Sequence, residues 1–397
     1  MSDCSTLTKA GNGMDIMKFA SLRIGIFFAT ATLAASPGLT TDMVRTKTVE
    51  LQVDTIATGL EHPWAVEVLP DGAYLVTERP GRLRTIRDGK ISAPITGVPK
   101  VNARSQGGLM DVAIAPDFAS SRRIFLTAAT RARGGSGTEV FSAKLSADGT
   151  KLEDVKTIFA MKRFTSGNIQ YGSRIAFAKD GSLFISIGDR GDRDRSQDWK
   201  DDAGSIVHIN ADGSIPDDNP FKDGIKALPE IWSKGHRNPQ GIAIDAADGK
   251  LYTVEHGARG GDEINYIEPG KNYGWPIITY GRDYSGAEIG EGTAKEGLEQ
   301  PAYYWDPSIA PGALAIYRGK MFPEWDGNFL VAALKFQLLS RMQRDDTGAF
   351  VAEERMLDGS YGRMRDVVVA PDGALLILTD EDDGALLRVS RAPTNNG

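Results

Sequence analysis

The chain has 397 residues, of which 41% are apolar and 25% charged, the composition of an ordinary globular protein. Its formal net charge is −7, so it has no basic surplus with which to neutralise phosphates, and nucleic acid is excluded as the expected partner. The only cysteine is Cys4, which rules out a disulfide within the chain. Glycine is frequent, at 45 residues, and predicts many short elements joined by turns.

A short apolar run near the N-terminus has the pattern of a secretory signal peptide. Lys18 and Arg23 precede the apolar residues 24–29, and small residues then lead to a cleavage position near Ala35. The run is too short to span a bilayer. A retained membrane anchor or a buried N-terminal helix is the alternative. We predict a signal peptide over 1–35, and therefore a periplasmic or secreted protein.

The remaining chain divides into a short tail and one large domain. The signal can begin at Met14 or Met17, which makes the residues before it an upstream extension. We predict a mature tail over 36–50 and a catalytic domain over 51–392. No later segment is apolar enough to span a membrane, so we expect no stable membrane insertion of the mature protein.

One sequence pattern recurs through the predicted domain: a turn containing Asp-Gly or Pro-Asp is followed by an apolar run rich in residues that favour β-strands. Such turns are strong hairpin signals, because type I′ turns need positive φ. The turns stand at 70–72, 116–117, 180–181, 248–249, 326–327 and 372–373. Six copies predict an all-β fold, a six-bladed β-propeller of four-stranded antiparallel blades. Two unrelated β-domains are the alternative, but a blade cannot bury its faces alone.

The spacing between the turns is uneven, so some blades must carry long loops. The longest insertions lie at 190–240 and 265–325. Binding and catalytic residues are often placed on loops that a rigid scaffold holds in position. We therefore looked for chemistry in these segments first.

Three segments carry residue types suited to an anionic ligand or a metal ion. Arg237 and Asn238 offer a fixed cation beside an amide. Residues 254–265 combine carboxylates, glycines and exposed carbonyls, the hard oxygen donors that calcium prefers, although a solvated acidic loop is equally compatible. Strand alternation predicts that Arg363 and Arg365 face the same way, where they either share an anion or are two surface arginines.

Taken together and in order, these segments resemble the soluble PQQ-dependent aldose sugar dehydrogenases, the soluble glucose dehydrogenase and sorbosone dehydrogenase superfamily. The likeness extends from about residue 55 to residue 389. The stretches that carry it are RNPQG at 237–241, GGDEIN at 260–265, KNYGWP at 271–276, YWDPSIAP at 304–311 and MRDV at 364–367.

The resemblance implies two cofactors, the tricarboxylate quinone pyrroloquinoline quinone (PQQ) and Ca²⁺. It implies that the quinone lies over the central channel and contacts Gln106, Gln197, Arg237, Asn238, Arg318, Arg363 and Arg365. It also implies that main-chain carbonyls of Gly257 and Ala258 bind the cofactor calcium, and that Glu263 and the carbonyl of Tyr273 bind a structural calcium. Arg237 is implied to act at the reactive carbonyls.

The chain departs from the family at the catalytic base. The family's histidine, which takes the proton of the sugar hydroxyl as hydride leaves C1, is matched by Gln170. An amide can orient a hydroxyl but cannot act as a base near neutral pH. Asp192 or Asp194 in the neighbouring loop is a candidate replacement, although that loop is equally typical of solvated surface.

Three functions remain open on these residues. The first is a PQQ- and calcium-dependent dehydrogenase that oxidises aldoses or related sugar aldehydes and passes electrons to a periplasmic acceptor. The second is a PQQ- or sugar-binding propeller that has lost turnover at Gln170. The third is a calcium-dependent lactonase, which leaves the paired arginines unexplained. In each case we expect a small-molecule partner and a monomer or homodimer.

Overall fold

The computed structural model describes residues 40–393, so the predicted signal peptide lies outside the described residues. Within this range the chain forms strands in six sheets, one helix of four residues, α1 (Phe118–Ser121), and two 3₁₀ turns, Arg193–Gln197 and Pro323–Trp325. In chain order the strands are β1 (Thr41–Arg45), β2 (Glu50–Leu60), β3 (Pro63–Val68), β4 (Tyr74–Glu78), β5 (Arg82–Arg87), β6 (Lys90–Ile91), β7 (Leu109–Ile114), β8 (Arg123–Ala132), β9 (Gly135–Leu145), β10 (Leu152–Ala160), β11 (Ile175–Phe177), β12 (Leu183–Ile187), β13 (Ser205–Ile209), β14 (Ile231–Lys234), β15 (Pro239–Ile244), β16 (Leu251–Glu255), β17 (Asp262–Ile267), β18 (Tyr303–Trp305), β19 (Pro311–Ile316), β20 (Phe329–Ala333), β21 (Leu338–Arg344), β22 (Phe350–Met356), β23 (Met364–Val369), β24 (Leu375–Thr379) and β25 (Gly384–Arg391).

Each sheet is one blade, and the six blades form a ring. Blades 1 to 5 each contain four consecutive antiparallel strands, starting at β3, β7, β11, β15 and β19. The first strand of every blade contacts the first strands of both neighbouring blades, so these six strands surround the axis. The predicted six-bladed β-propeller of four-stranded blades is therefore confirmed.

The sixth blade joins both ends of the described chain. It consists of β23, β24 and β25, followed by β2 from the N-terminal side, with Val53 opposite Val389. Strand β1, which lies within the predicted 36–50 tail, pairs with β2 as a fifth, outermost strand. Because β2 hydrogen-bonds to β25, the ring is closed by main-chain pairing between residues more than 300 positions apart.

The core consists of apolar layers between neighbouring blades. Six clusters of buried residues each join two adjacent blades, as Leu330 of blade 5 and Leu375 of blade 6 do in one of them. Strands inside a blade are covered on both sides, which explains continuous apolar runs such as Phe329–Ala333, buried throughout. Burial of this kind contributes about 25 cal/mol per Å² of apolar surface and holds the ring together.

The recurring turns define the two ends of the propeller. All six connect the first strand of a blade to its second strand, and Gly181, in the third turn, has a φ of 87° that favours glycine. We call the end that carries these turns the lower face. The first strands begin at the opposite end, the upper face, where the loops between second and third strands also lie.

One arginine ties the blades together at the axis. Arg174, just before β11 of blade 3, donates hydrogen bonds to Asp111 and Asp366 and to the main-chain oxygens of Gln240 and Gly312. Its guanidinium also lies 4.1 Å from the ring centre of Trp64, in blade 1. A single buried cation thus contacts the first-strand region of every other blade and forms the floor beneath the upper face.

Candidate functional site

Three of the predicted site residues, Gln106, Gln170 and Asn238, lie together on the upper face, between blades 2 and 4. Gln106 Oε1 accepts a hydrogen bond of 2.7 Å from the main-chain N–H of Gln170. Asn238 Oδ1 accepts from the N–H of Gly172 at 3.1 Å and from Gln240 Nε2 at 3.2 Å. Asn238 is 4% exposed, and its Nδ2 donates to no group in residues 40–393, yet it is not among the atoms sealed from solvent. That amide is therefore available to a ligand.

Arg237 is held rigidly beside this amide. Its main-chain N–H donates to Glu255 Oε2 at 2.7 Å, and its Nη1 donates to the oxygen of His256 at 3.2 Å. The guanidinium lies 5.4 Å from the ring centre of Trp275, whose Nε1 donates to Asp189 at 2.8 Å. The buried Nε of Arg237 has no hydrogen-bond partner among the described residues. This cation is fixed in orientation and not fully used by the protein, as a ligand-binding arginine should be.

Asp189 supports the same side of the site from beneath. Burial raises the pKa of its carboxyl, and the hydrogen bond from the N–H of Gly191 and the charge of Arg237 oppose the rise. The neighbouring N–H of Arg190 donates to the oxygen of Gln170 at 3.2 Å. The segment that carries this buried acid therefore positions the loop of Gln170. Asp192 and Asp194 are both exposed.

The two arginines at the start of blade 6, Arg363 and Arg365, do not share one face as the strand alternation predicted. Arg363 precedes β23 and is exposed, and a register shift separates Met364 from Asp366. Arg365 is buried, and its two terminal nitrogens donate to Gln240 Oε1 at 2.9 Å and to Asp380 at 2.7 Å. Regular alternation is lost at the irregularity, so one arginine is enclosed by protein and the other is available.

Gln240 joins the two sides of the site. Its Nε2 donates to Asn238 and its Oε1 accepts from Arg365, so the cation of blade 6 and the amide of blade 4 are one side chain apart. Arg363 Nη1 lies 3.4 Å from the oxygen of Leu334, in the upper-face loop of blade 5. The structure therefore brings Arg237, Asn238, Arg363 and Arg365 to one region around the axis.

Two predicted cofactor residues are not available at the site: Arg318 lies on the lower face, and the amide of Gln197 is hydrogen-bonded to other protein groups. Arg318 follows the lower end of β19, where it pairs with Asp245 and Asp326 at 2.8 Å each. It lies on the wrong face because β19 runs from the upper to the lower face. The amide of Gln197 exchanges hydrogen bonds with Asn272 and donates to the oxygen of Trp275. Gln197 therefore holds two loops together and has little capacity left for a ligand.

Sequence reasoning missed two upper-face cations, Arg79 and Lys335. Arg79 is the first residue after β4, the position that Asp380 occupies after β24 in blade 6, and Lys335 is the second residue after β20. Neither has a carboxylate within 4.0 Å among the described residues. Counting strands from the lower-face turns would have placed both side chains on the upper face.

The carbonyls predicted to bind the cofactor calcium lie in a tight turn beside Arg237. The N–H of Gly257 donates to Asp262 at 2.9 Å, and no group in the described part of the chain donates to the oxygens of Gly257 or Ala258. A Cβ added to Gly257 would meet the oxygens of Gly260 and Gly261 at 2.2 and 2.3 Å. The turn is thus packed closely against two further main-chain oxygens, and the oxygens of Gly257 and Ala258 are the hard donors that suit a cation such as Ca²⁺.

The second predicted calcium site contains two neighbouring carboxylates. Asn265 Nδ2 donates to Glu255 at 2.9 Å and to Glu263 at 3.2 Å, while its buried Oδ1 has no partner within residues 40–393. Burial, and then the charge of Glu255, raise the pKa of Glu263 to about 8. Tyr273 stacks on His236, which contacts Glu255 at 2.9 Å.

Neither Glu255 nor Glu263 has a Lys or Arg side chain within 4.0 Å among the described residues, and a divalent ion would supply positive charge there. Residues 40–393 contain no group of three or more His, Cys, Asp or Glu side chains that could hold a metal. Binding would therefore need main-chain or amide oxygens at both sites, in addition to the two carboxylates at the second.

These features define a six-bladed propeller with a cationic, amide-bearing site over its axis, suited to an anionic, oxygen-rich ligand. The glucose/sorbosone dehydrogenase family model matches residues 60–388. The chain is 44% identical over 347 residues to the aldose sugar dehydrogenase YliI of Escherichia coli, an alignment that covers 86% of this chain and 93% of that protein.

Two solved structures show the same likeness. The apo form of the soluble aldose sugar dehydrogenase of E. coli matches with a TM-score of 0.84 at 42% identity, covering 86% of this chain and 100% of that one. The PQQ-bound aldose sugar dehydrogenase of Streptomyces coelicolor matches with a TM-score of 0.69 at 28% identity, covering 89% and 100%. The chain belongs to the glucose/sorbosone dehydrogenase family. In its described part, no helix is long and apolar enough to cross a membrane.

Proposed function

We propose that the protein is a PQQ- and calcium-dependent dehydrogenase that oxidises the C1 hydroxyl of aldose sugars, or related sugar aldehydes, to lactones or acids. The observation that carries the proposal is the site over the axis, where cations and a free amide converge on one region. The names of the relatives support the substrate class, and the PQQ-bound relative supports the cofactor.

The chain's own residues would bind and orient the reactants. Arg363 and Lys335 would hold carboxylates of PQQ, because both are exposed cations on the upper face. Arg237 and Asn238 would donate hydrogen bonds to oxygen atoms at the opposite end, and the carbonyls of Gly257 and Ala258 would hold Ca²⁺. When bound together, PQQ and Ca²⁺ supply a polarised carbonyl that accepts hydride.

Gln170 determines how the proton would be handled. Its amide would orient the sugar hydroxyl by hydrogen bonding, but it cannot hold the proton as a histidine would. The lack of a base is the observation that supports a second candidate function, a PQQ- or sugar-binding propeller with impaired turnover. We still prefer the dehydrogenase, because electrostatic stabilisation and the cofactor often contribute more to the rate than one base does.

Location and partners complete the proposal. The predicted signal peptide implies export, so electrons would pass to an acceptor in the periplasm or outside the cell. We propose that the protein acts as a monomer or homodimer on a small sugar.

Reconstitution tests the function directly. The purified protein is loaded with PQQ and Ca²⁺, and glucose and a redox dye are added. Dye reduction that requires both cofactors supports the dehydrogenase. A change in the PQQ absorption spectrum without reduction by any of a panel of aldoses would favour the binding protein, and absence of PQQ binding would overturn the proposal.

A further inference from the structure

Arg79 is a partly buried cation on the upper face that forms no hydrogen bond or ion pair through its side chain within residues 40–393. Its main-chain N–H donates to the oxygen of His62, and its own oxygen accepts from the N–H of Leu109, both at 3.0 Å. These bonds fix its backbone between the starts of blades 1 and 2. Its Nε is buried without a partner, and no hydrogen bond from its side chain to any described residue is present. The terminal nitrogens remain in contact with solvent.

The surroundings of Arg79 are already cationic. Asp380 lies close enough for the charge of Arg79 to lower its pKa, but that carboxylate is bonded to Arg365 at 2.7 Å and to His62 at 2.8 Å. Burial, and to a smaller extent the charges of Arg79 and Arg174, lower the pKa of Arg365, while Asp380 opposes this. Two arginines thus share one acid whose oxygens are occupied.

An arginine in this position raises the free energy of the empty protein. Like charges repel, and a partly desolvated guanidinium without an acceptor loses hydrogen bonds to water that nothing replaces. An anion placed between Arg79 and Arg365 would remove both penalties. Elsewhere in the same blade, Arg82 and Arg84 bond to Glu78, at 2.8 Å each. Arg79 differs from them in having no such partner within the described residues.

We propose that Arg79 is a cofactor-binding residue of the site, and that it holds a carboxylate of the anionic ligand on the side of the axis opposite Arg237. This inference rests on the proposed function, since it assigns Arg79 to the same ligand. With Lys335 and Arg363, the upper face around Asp380 then offers three cations without an acidic partner within 4.0 Å in the described range. Their number matches the carboxylates of PQQ, which is a tricarboxylate.

Titration of the purified apoprotein with PQQ in calcium buffer tests the assignment, with quenching of tryptophan fluorescence as the readout. Arg79→Gln should raise the dissociation constant roughly 10- to 100-fold, the loss expected for a charge-assisted hydrogen bond. Arg79→Lys should recover part of the affinity because it retains the charge. The matched control is Arg87→Gln, which removes an exposed arginine of the same blade that pairs with Asp71 on the lower face.

Two further measurements separate binding from structure. The apoprotein melting temperature of Arg79→Gln should equal or exceed that of the wild type, because no side-chain hydrogen bond or ion pair to the described protein is lost. With the trimethyl ester of PQQ, which lacks the carboxylates, wild type and variant should bind alike.

An unchanged PQQ affinity in Arg79→Gln, within twofold of a wild type that does bind, would overturn this assignment alone. A lowered apoprotein melting temperature together with equal losses for PQQ and its ester would also overturn it, because that pattern indicates a structural role. A wild type that fails to bind PQQ would overturn the proposed function as well.

Discussion

Replacing Gln170 with histidine should increase sugar oxidation by the PQQ-loaded protein. General bases typically contribute about 100- to 10,000-fold to the rate of a proton-transfer step. An amide supplies none of this, because it cannot accept a proton near neutral pH. We therefore expect kcat/KM for glucose to rise about 100-fold or more in Gln170→His.

The structure can accept this change without moving the backbone. Gln170 has a φ of 54°, a left-handed conformation in which histidine is among the better tolerated residues. Its N–H and oxygen stay bonded to Gln106 and Arg190 whatever the side chain is. A Cβ added to Gly191 would lie 3.4 Å from Gln170 Oε1, so the glycine there leaves room for an imidazole.

The assay is dye reduction between pH 5 and pH 9 with cofactor loading checked by absorbance. A neutral imidazole is required, so the gain should appear as pH rises through about 6.5, the ordinary pKa of histidine. Gln170→Asn is the matched control, since it keeps an amide and should show no such rise. A fully loaded Gln170→His protein with wild-type activity at every pH would refute the assignment of this position.

Three other perturbations follow from the buried charges. Arg174→Met should cost about 3–5 kcal/mol of unfolding free energy, because it leaves the buried Asp111 and Asp366 without their cation. The loss in denaturant unfolding should be smaller at pH 5 than at pH 8, since protonation removes the uncompensated charge; equal losses would contradict this account. Burial, followed by the charges of Asp111 and Asp366, raises the pKa of Glu67 from 4.5 to about 8. Between these two pH values the folded protein binds more protons than the unfolded chain. The contribution of Glu67 to the free energy of unfolding is therefore fully present below pH 4.5 and is lost as the pH rises through 8. Between pH 5 and pH 8, the free energy of unfolding of Glu67→Gln should therefore fall by about 1–3 kcal/mol less than that of the wild type. The same pH dependence in both proteins would contradict the raised pKa. Chelation of calcium should lower the melting temperature of the wild type, and less so that of Glu263→Gln; a wild type unaffected by chelation would argue against an ion at Glu263.

The sequence alone was sufficient for the architecture. The recurring lower-face turns and the apolar runs beside them predicted six blades, because both signals are local and each blade repeats them. Short motifs also identified Arg237 and Asn238, and the resemblance to the family added Gln106; the structure brings the three residues to one region. These residues lie just before the first strand of a blade, ten or eleven positions ahead of the recognisable turn.

Residues outside that pattern could not be placed from the sequence. Arg318 stands close to a strand that does reach the site, but it lies beyond the lower end of that strand. Arg79 and Lys335 follow second strands, in segments with no motif of their own.

Only the tertiary structure decided which blades meet and which charges share a partner. The pairing of β2 with β25 closes the ring and so sets blade 1, with Arg79, beside blade 6, with Arg365 and Asp380. Arg79 lies 286 positions before Arg365 and 301 positions before Asp380 along the chain. Closure of the ring depends on hydrogen bonds and apolar layers between distant strands, and no local pattern of residues records which strand will complete the last blade.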